Sequence, residues 1–144
     1  MINVNLEQDI VEEVICDNEW IHRICINILQ ENNHYEGDIT IVLSNDNKLR
    51  KMQKQYFNKN VFTDVIAFNL EESGSSIEGE IYISIERVAE NAIIYKQDFT
   101  MELKRIVIHG CLHLVGYTDK NSEDKHKMMT LENKYLSSEY QFSD

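Results

Sequence analysis

Three side chains able to share a metal ion stand close together in the last third of this 144-residue chain. They lie in the segment His109-Gly-Cys-Leu-His113-Leu-Val-Gly116-Tyr-Thr-Asp119. The two histidines are four residues apart, so on a helix they project from one face, about 6 Å apart along the axis. Two imidazoles so placed can bind one ion through nitrogen at roughly 2.0–2.1 Å each. Gly116 follows three residues after His113, where glycine can take the left-handed conformation that ends a helix. The chain can then turn back and bring Asp119 to the same ion. Three protein ligands with a position open for water is the pattern of catalytic zinc, whereas structural zinc is usually closed by four. Two histidines and a carboxylate also suit non-haem iron, but ligands on a helix at this spacing favour zinc.

The spacing is that of the metzincin motif H-E-x-x-H-x-x-G-x-x-H with two substitutions: Gly110 replaces the general-base Glu, and Asp119 replaces the third His. The frame of ligands is kept and the protease's base is absent. A phosphodiester or activated ester can be attacked without that base. An amide also needs its leaving nitrogen protonated, so peptide cleavage is the harder case. His126 is a rival third ligand, although its charged surroundings, Glu123-Asp-Lys-His-Lys, suit a solvent-facing residue. His22 and His34 have no partner at ligand spacing and read as structural. Cys111, two residues from His109, points to another helix face and is expected in the core.

The elements that must position these groups are legible from periodicity. Ile2 to Leu6 alternates as a strand, and Trp20, Ile21, Ile24, Ile28 and Leu29 recur at helical spacing after a possible Asp17 cap. Residues 37–44 form a β-branched strand, and Ser44 or Asn45 can cap a basic helix reaching about Phe57. Residues 64–69 and 79–84 read as two further strands, joined by a loop at 71–76. Ser84 can cap the next helix and Thr100 the one after, which carries Leu103, Val107, Cys111 and Leu114 at helical spacing. A last helix begins near Ser122, with Glu123 and Asp124 in its first turn. The order β-α-β-α-β-β-α-α-α predicts one α+β domain over residues 1–144.

Composition narrows the function classes. The chain has no proline, no internal repeat and no apolar run long enough to span a membrane. The N-terminus lacks a secretory pattern, and three cysteines without a C-x-x-C pair argue for a reducing compartment, the cytoplasm. The net charge of −11 opposes binding to nucleic acid at long range. The charge is uneven, however. Residues 1–33 carry seven acids and one base, while residues 45–60 carry Lys48, Arg50, Lys51, Lys54 and Lys59 against Asp46. That basic stretch is either a solvated helix face or a nucleic-acid contact.

The segment His109-Gly-x-Leu-His113-Leu-x-Gly116-Tyr117 resembles the hallmark of the YbeY family of bacterial endoribonucleases and rRNA maturation factors. Thr63-Asp64-Val65-Ile66-Ala67-Phe68, the end of a segment that starts at Tyr56, is similar to that family's T-D-V-L-S-F strand. Gly79-Glu80-Ile81-Tyr82-Ile83-Ser84 is similar to its G-D-I-x-I-S strand, and Met128 and Glu132 fit its last helix. The resemblance runs from about residue 37 to 137. It implies a small mixed β-sheet packed with helices, a zincin-like His-x3-His helix, and one zinc ion between helix and loop. It also implies single-strand-specific, metal-dependent cleavage of ribosomal RNA, in maturation of the 16S rRNA 3′ end and in late 70S ribosome quality control. The implied partners are rRNA and the 30S subunit; separately, the acidic composition suits a basic ribosomal protein as partner.

By the same resemblance His109 and His113 carry over as ligands, and the family's third ligand, a His, is here Asp119. The family's Arg after the tyrosine equivalent to Tyr56 is here Phe57, leaving Arg50, Lys51, Lys54 and Lys59 as candidates for that charge. Asp64, Glu80 and Glu132 are the candidate catalytic carboxylates, by their proximity in the family fold. A non-catalytic ribosome-assembly factor that binds rRNA or a ribosomal protein is the alternative reading.

Overall fold

The computed structural model describes residues 1–70 and 76–142. The loop expected at 71–76 falls, save for its last residue, outside the described residues. The nine elements follow the expected order. They are β1 (Ile2–Gln8), α1 (Asn18–Glu31), β2 (Gly37–Ser44), α2 (Asp46–Phe57), β3 (Val65–Asn69), β4 (Ile77–Ser84), α3 (Ile85–Ile94), α4 (Phe99–Leu114) and α5 (Ser122–Leu136). The strands form one mixed sheet in the order β1-β2-β4-β3. β1 and β2, and β2 and β4, run parallel, while β3 is antiparallel to β4 at one edge. The fold is α+β, as expected.

Side chains alternate across the sheet, and its two faces carry different helices. On one face, Val4, Ile39, Ile41, Leu43, Ile81 and Ile83 meet Ile24 and Ile28 of α1 and Leu103 and Val107 of α4 in the main core. On the other, Leu49 and Met52 of α2 pack on Ile66, with Phe68 and Tyr82 alongside. α4 thus crosses the buried face, and α2 lies on the opposite side of the sheet.

The caps explain most of the helix boundaries. Asp17 accepts from the Trp20 backbone N–H at 3.1 Å, and Asn45, rather than Ser44, accepts from Lys48 N–H at 2.9 Å. Ser84 accepts from Arg87 N–H at 3.3 Å, and Asn121 accepts from Asp124 N–H at 2.8 Å. The expected Thr100 cap is a correction. α4 starts two residues earlier than that cap would give, with Asp98 at the cap position and no side-chain capping bond. The Glu102 N–H reaches the Asp98 carbonyl at 3.0 Å, so the backbone alone begins this helix. Cys111 is buried as expected, its Sγ 3.2 Å from that of Cys25 on α1.

Candidate metal centre

α4 presents both histidines where it emerges from the core, with their rings edge to face and their Nε2 atoms 2.9 Å apart. Each Nδ1 is held from behind. His109 Nδ1 lies 2.8 Å from Glu132 Oε2 on α5, and His113 Nδ1 lies 3.0 Å from the Tyr117 carbonyl oxygen. A carbonyl and a carboxylate can only accept, so both Nδ1 atoms donate. Both Nε2 lone pairs then face one another. Two lone pairs at this distance repel, and a positive centre between them removes the conflict. Asp119 Oδ2 points at the same place, 3.4 Å from His109 Nε2 and 3.7 Å from His113 Nε2. Among the described residues these three form the one His/Cys/Asp/Glu group whose ligand atoms lie within 4.8 Å of one another. Two neutral imidazoles and a carboxylate, aimed inward and braced from behind, are a donor set that fits a divalent cation.

The same geometry sets the proton affinities. Burial pulls His109 down, but the Glu132 hydrogen bond and the charges of Glu132, Asp64 and Asp119 outweigh it and raise its pKa above 6.5. Burial and the neighbouring His109 charge lower that of His113. The two Nε2 atoms, 2.9 Å apart, are close enough for one proton or one cation to lie between them.

Gly116 has φ +105°, in the region that favours glycine. Its N–H bonds to the His113 carbonyl at 3.1 Å, and the next N–H, of Tyr117, bonds to the Leu112 carbonyl at 3.0 Å. This is a Schellman cap. It ends α4, aims the Tyr117 carbonyl back at His113, and sends the chain on to Asp119. Gly110 has a different reason. A Cβ there would lie 2.7 Å from Ile81 Cγ2 on β4. The position faces the sheet rather than the metal centre, so this packing has no room for a protease-type Glu.

Two grooves meet at the centre. One, about 570 Å³, includes Asp64, Arg105, His109, Asp119, Met128 and Glu132 in its walls. The other, about 440 Å³, includes Phe57, Lys59, His113, Tyr117 and Asp119 together with edge strand β3. Asp119 borders both. The candidate carboxylates separate accordingly. Glu132 braces His109 and also accepts from Arg105 Nη1 at 3.3 Å. Asp64 lies in the first groove, where its Oδ2 accepts from Asn91 at 3.2 Å. Glu80 is not brought to the centre. It accepts from Tyr82 on the α2 face of the sheet, because strand alternation turns it away from α4. His126 is exposed and outside the ligand group.

Sequence reasoning missed the Tyr117 carbonyl, the Arg105–Glu132–His109 chain and the packing at Gly110. Only Glu132 left a signal, four residues after the buried Met128 and so on the inward stripe of α5.

Fold and site together define a class of protein: a one-sheet α+β protein with a metal-type centre where a helix leaves the sheet, between two open grooves. Residues 3–139 match the family described as Endoribonuclease YbeY, and the chain belongs to that family. A Flavobacterium psychrophilum protein named Endoribonuclease YbeY is 43% identical over 136 residues, spanning 94% of each chain. One of the same name from Amoebophilus asiaticus is 41% identical over 118 residues, covering 82% of this chain and 78% of its own length. A Thermotoga maritima protein known from its solution structure superposes with a TM-score of 0.60 at 26% identity, covering 94% of this chain and 87% of that one.

Proposed function

We propose that this chain is a metal-dependent endoribonuclease that cuts single-stranded ribosomal RNA, in maturation of the 16S rRNA 3′ end and in late 70S ribosome quality control. The observation that carries this reading is the convergence of His109 Nε2, His113 Nε2 and an Asp119 carboxylate oxygen at the junction of two grooves, in a chain of an endoribonuclease family. His109 and His113 would hold the ion through Nε2, and Asp119 would hold it through a carboxylate oxygen. Zinc suits this donor set, and such an ion supplies Lewis acidity and a water of lowered pKa.

The remaining steps belong to the chain's own groups. Glu132, tied to Arg105, fixes the His109 ring and tautomer, so it is a positioning residue. Asp64, which lines the same groove as His109, is the remaining candidate for the catalytic carboxylate. Lys59, in the second groove beside His113 and Asp119, supplies the positive charge that the phosphate backbone needs where the family's Arg is replaced by Phe57. A phosphodiester does not need the amine-protonating base that Gly110 excludes, so the missing Glu disfavours peptide rather than RNA.

Purified protein incubated with single-stranded and structured rRNA fragments, with and without chelator, tests the reading. The expected result is chelator-sensitive cleavage of the single strands. Equal cleavage by wild type and His113→Ala would sink metal-dependent catalysis. The metal content of protein purified without added metal, read against activity, separates zinc from iron.

The net charge of −11 favours a second reading, a ribosome-assembly factor that docks on a basic ribosomal protein without cutting. Normal rRNA processing in cells carrying only the His109→Ala/His113→Ala double variant would support it. Both readings place the protein with rRNA and the 30S subunit in the cytoplasm. No helix among the described residues is long and apolar enough to cross a membrane.

A further inference from the structure

Phe57 is the last residue of α2, and Asn58 after it turns left-handed with φ 53°. That turn ends the helix at the mouth of the groove containing His113 and Asp119, with Lys59 in the same wall. The Phe57 ring lies nearly parallel to Phe68, with centroids 5.8 Å apart and planes 10° apart. Phe68 therefore packs beside the ring in a parallel, offset arrangement, and Phe57 stays 45% exposed where it lines the groove. Tyr56 rests edge-on against the same Phe68, which holds the pair in place. An exposed aromatic plane in the wall of a groove can take a flat ligand. The candidates for that ligand are narrowed by charge. Residues 45–60, which carry this ring, hold five bases and one acid in a chain whose net charge is −11. An aromatic plane with a lysine in the same groove wall, beside the proposed phosphodiester-cutting centre, matches the stacking platforms that hold unpaired bases.

We propose that Phe57 is the base-stacking platform of the nucleotide next to the scissile phosphate, and that Lys59 binds that nucleotide's phosphate. This rests on the endoribonuclease reading and deepens it. The device also selects for single strands, because a base must leave its duplex stack before it can lie on the ring.

The test is a cycle between one protein variant and one missing base. Metal-loaded wild type and Phe57→Leu are mixed with a labelled, unstructured oligoribonucleotide and with a set in which each member lacks one base. Stopped-flow anisotropy reads affinity before turnover. Leucine keeps an apolar cover on Phe68, and a matching thermal melt shows that Phe57→Leu is folded. Loss of one particular base is expected to weaken wild-type binding about tenfold. In Phe57→Leu the intact oligonucleotide is weakened by the same factor, and loss of that base adds nothing. Phe57→Trp restores the base dependence. If every base loss costs Phe57→Leu what it costs wild type, the platform assignment is overturned. Cleavage of the intact strand with and without chelator is read in parallel. Chelator-sensitive cleavage without coupling would leave the nuclease standing and remove only the platform. Coupling without cleavage would keep Phe57 as a base platform and overturn the nuclease reading on which its place beside a scissile phosphate rests.

Discussion

His109 and His113 offer one gap that either a proton or a metal ion can fill, and the pH dependence of the centre follows from that competition. The folded pKa of His109 lies above 6.5, so its bound proton stabilises the metal-free fold fully below the unfolded value, and this gain is lost as pH rises through the raised one. Metal binding has the opposite sign, because the proton must leave first. Metal affinity is therefore expected to fall as pH drops through the raised pKa of His109, beginning above 6.5. Metal competition titrations at a series of pH values check this, and a midpoint below that of free histidine would contradict it. Glu132→Gln removes the carboxylate charge that raises His109. It is expected to lower metal affinity about 10–100-fold while keeping the fold, and to move the midpoint to lower pH. Asp119→Ala, by contrast, is expected to lose metal with little change in the His109–Glu132 bond, which the His109 Nδ1–H resonance reports.

At the scale of elements, α4 must approach the sheet closely and then stop abruptly. Gly110 permits the approach. Gly110→Ala places a Cβ 2.7 Å from Ile81 Cγ2, and overpacking of this kind is expected to cost about 1–3 kcal/mol in urea denaturation. Gly110→Glu is expected to be worse, and to restore no peptidase activity, because the side chain enters the core instead of the metal centre. Gly116 provides the stop. At Gly116 a Cβ would meet nothing within 4 Å, so Gly116→Ala tests the backbone alone, at φ +105°. It is expected to cost about 1–2 kcal/mol of stability. It should also weaken metal binding, since the same turn aims the Tyr117 carbonyl at His113. A stability loss with unchanged metal affinity would show that this carbonyl does not orient the ring.

Over the whole molecule, the uneven charge separates two tasks. The acidic residues 1–33 repel phosphate, while α2 and the residues just after it carry the basic stretch to the edge of the candidate metal centre. RNA is thus expected to approach from one side only. Lys59→Ala should weaken oligoribonucleotide binding evenly across sequences and flatten its salt dependence by about 0.7 in log–log slope, one single-strand phosphate. Anisotropy titrations over a range of salt concentrations measure this, and an unchanged slope would remove Lys59 from the phosphate path.

Much of this molecule can be read from the chain, because the relevant forces are local. Periodicity reports which face of each helix and strand is buried, so all nine elements and the α+β class are legible. Side-chain caps such as Asp17 and Ser84 mark boundaries because they bond to their own neighbours. Helix pitch puts His109 and His113 on one face, and Gly116 announces the turn toward Asp119. What lies beyond local reach was decided only in three dimensions. The sheet order β1-β2-β4-β3 places Ile81 beneath Gly110 and so explains the missing base, a contact between residues 29 positions apart. Strand alternation sends Glu80 to the wrong face, while α5 packing brings Glu132 to His109 and leaves His126 in water. The ligand spacing is a property of one helix and its cap, whereas the tautomers and the two grooves depend on which distant elements close around that helix.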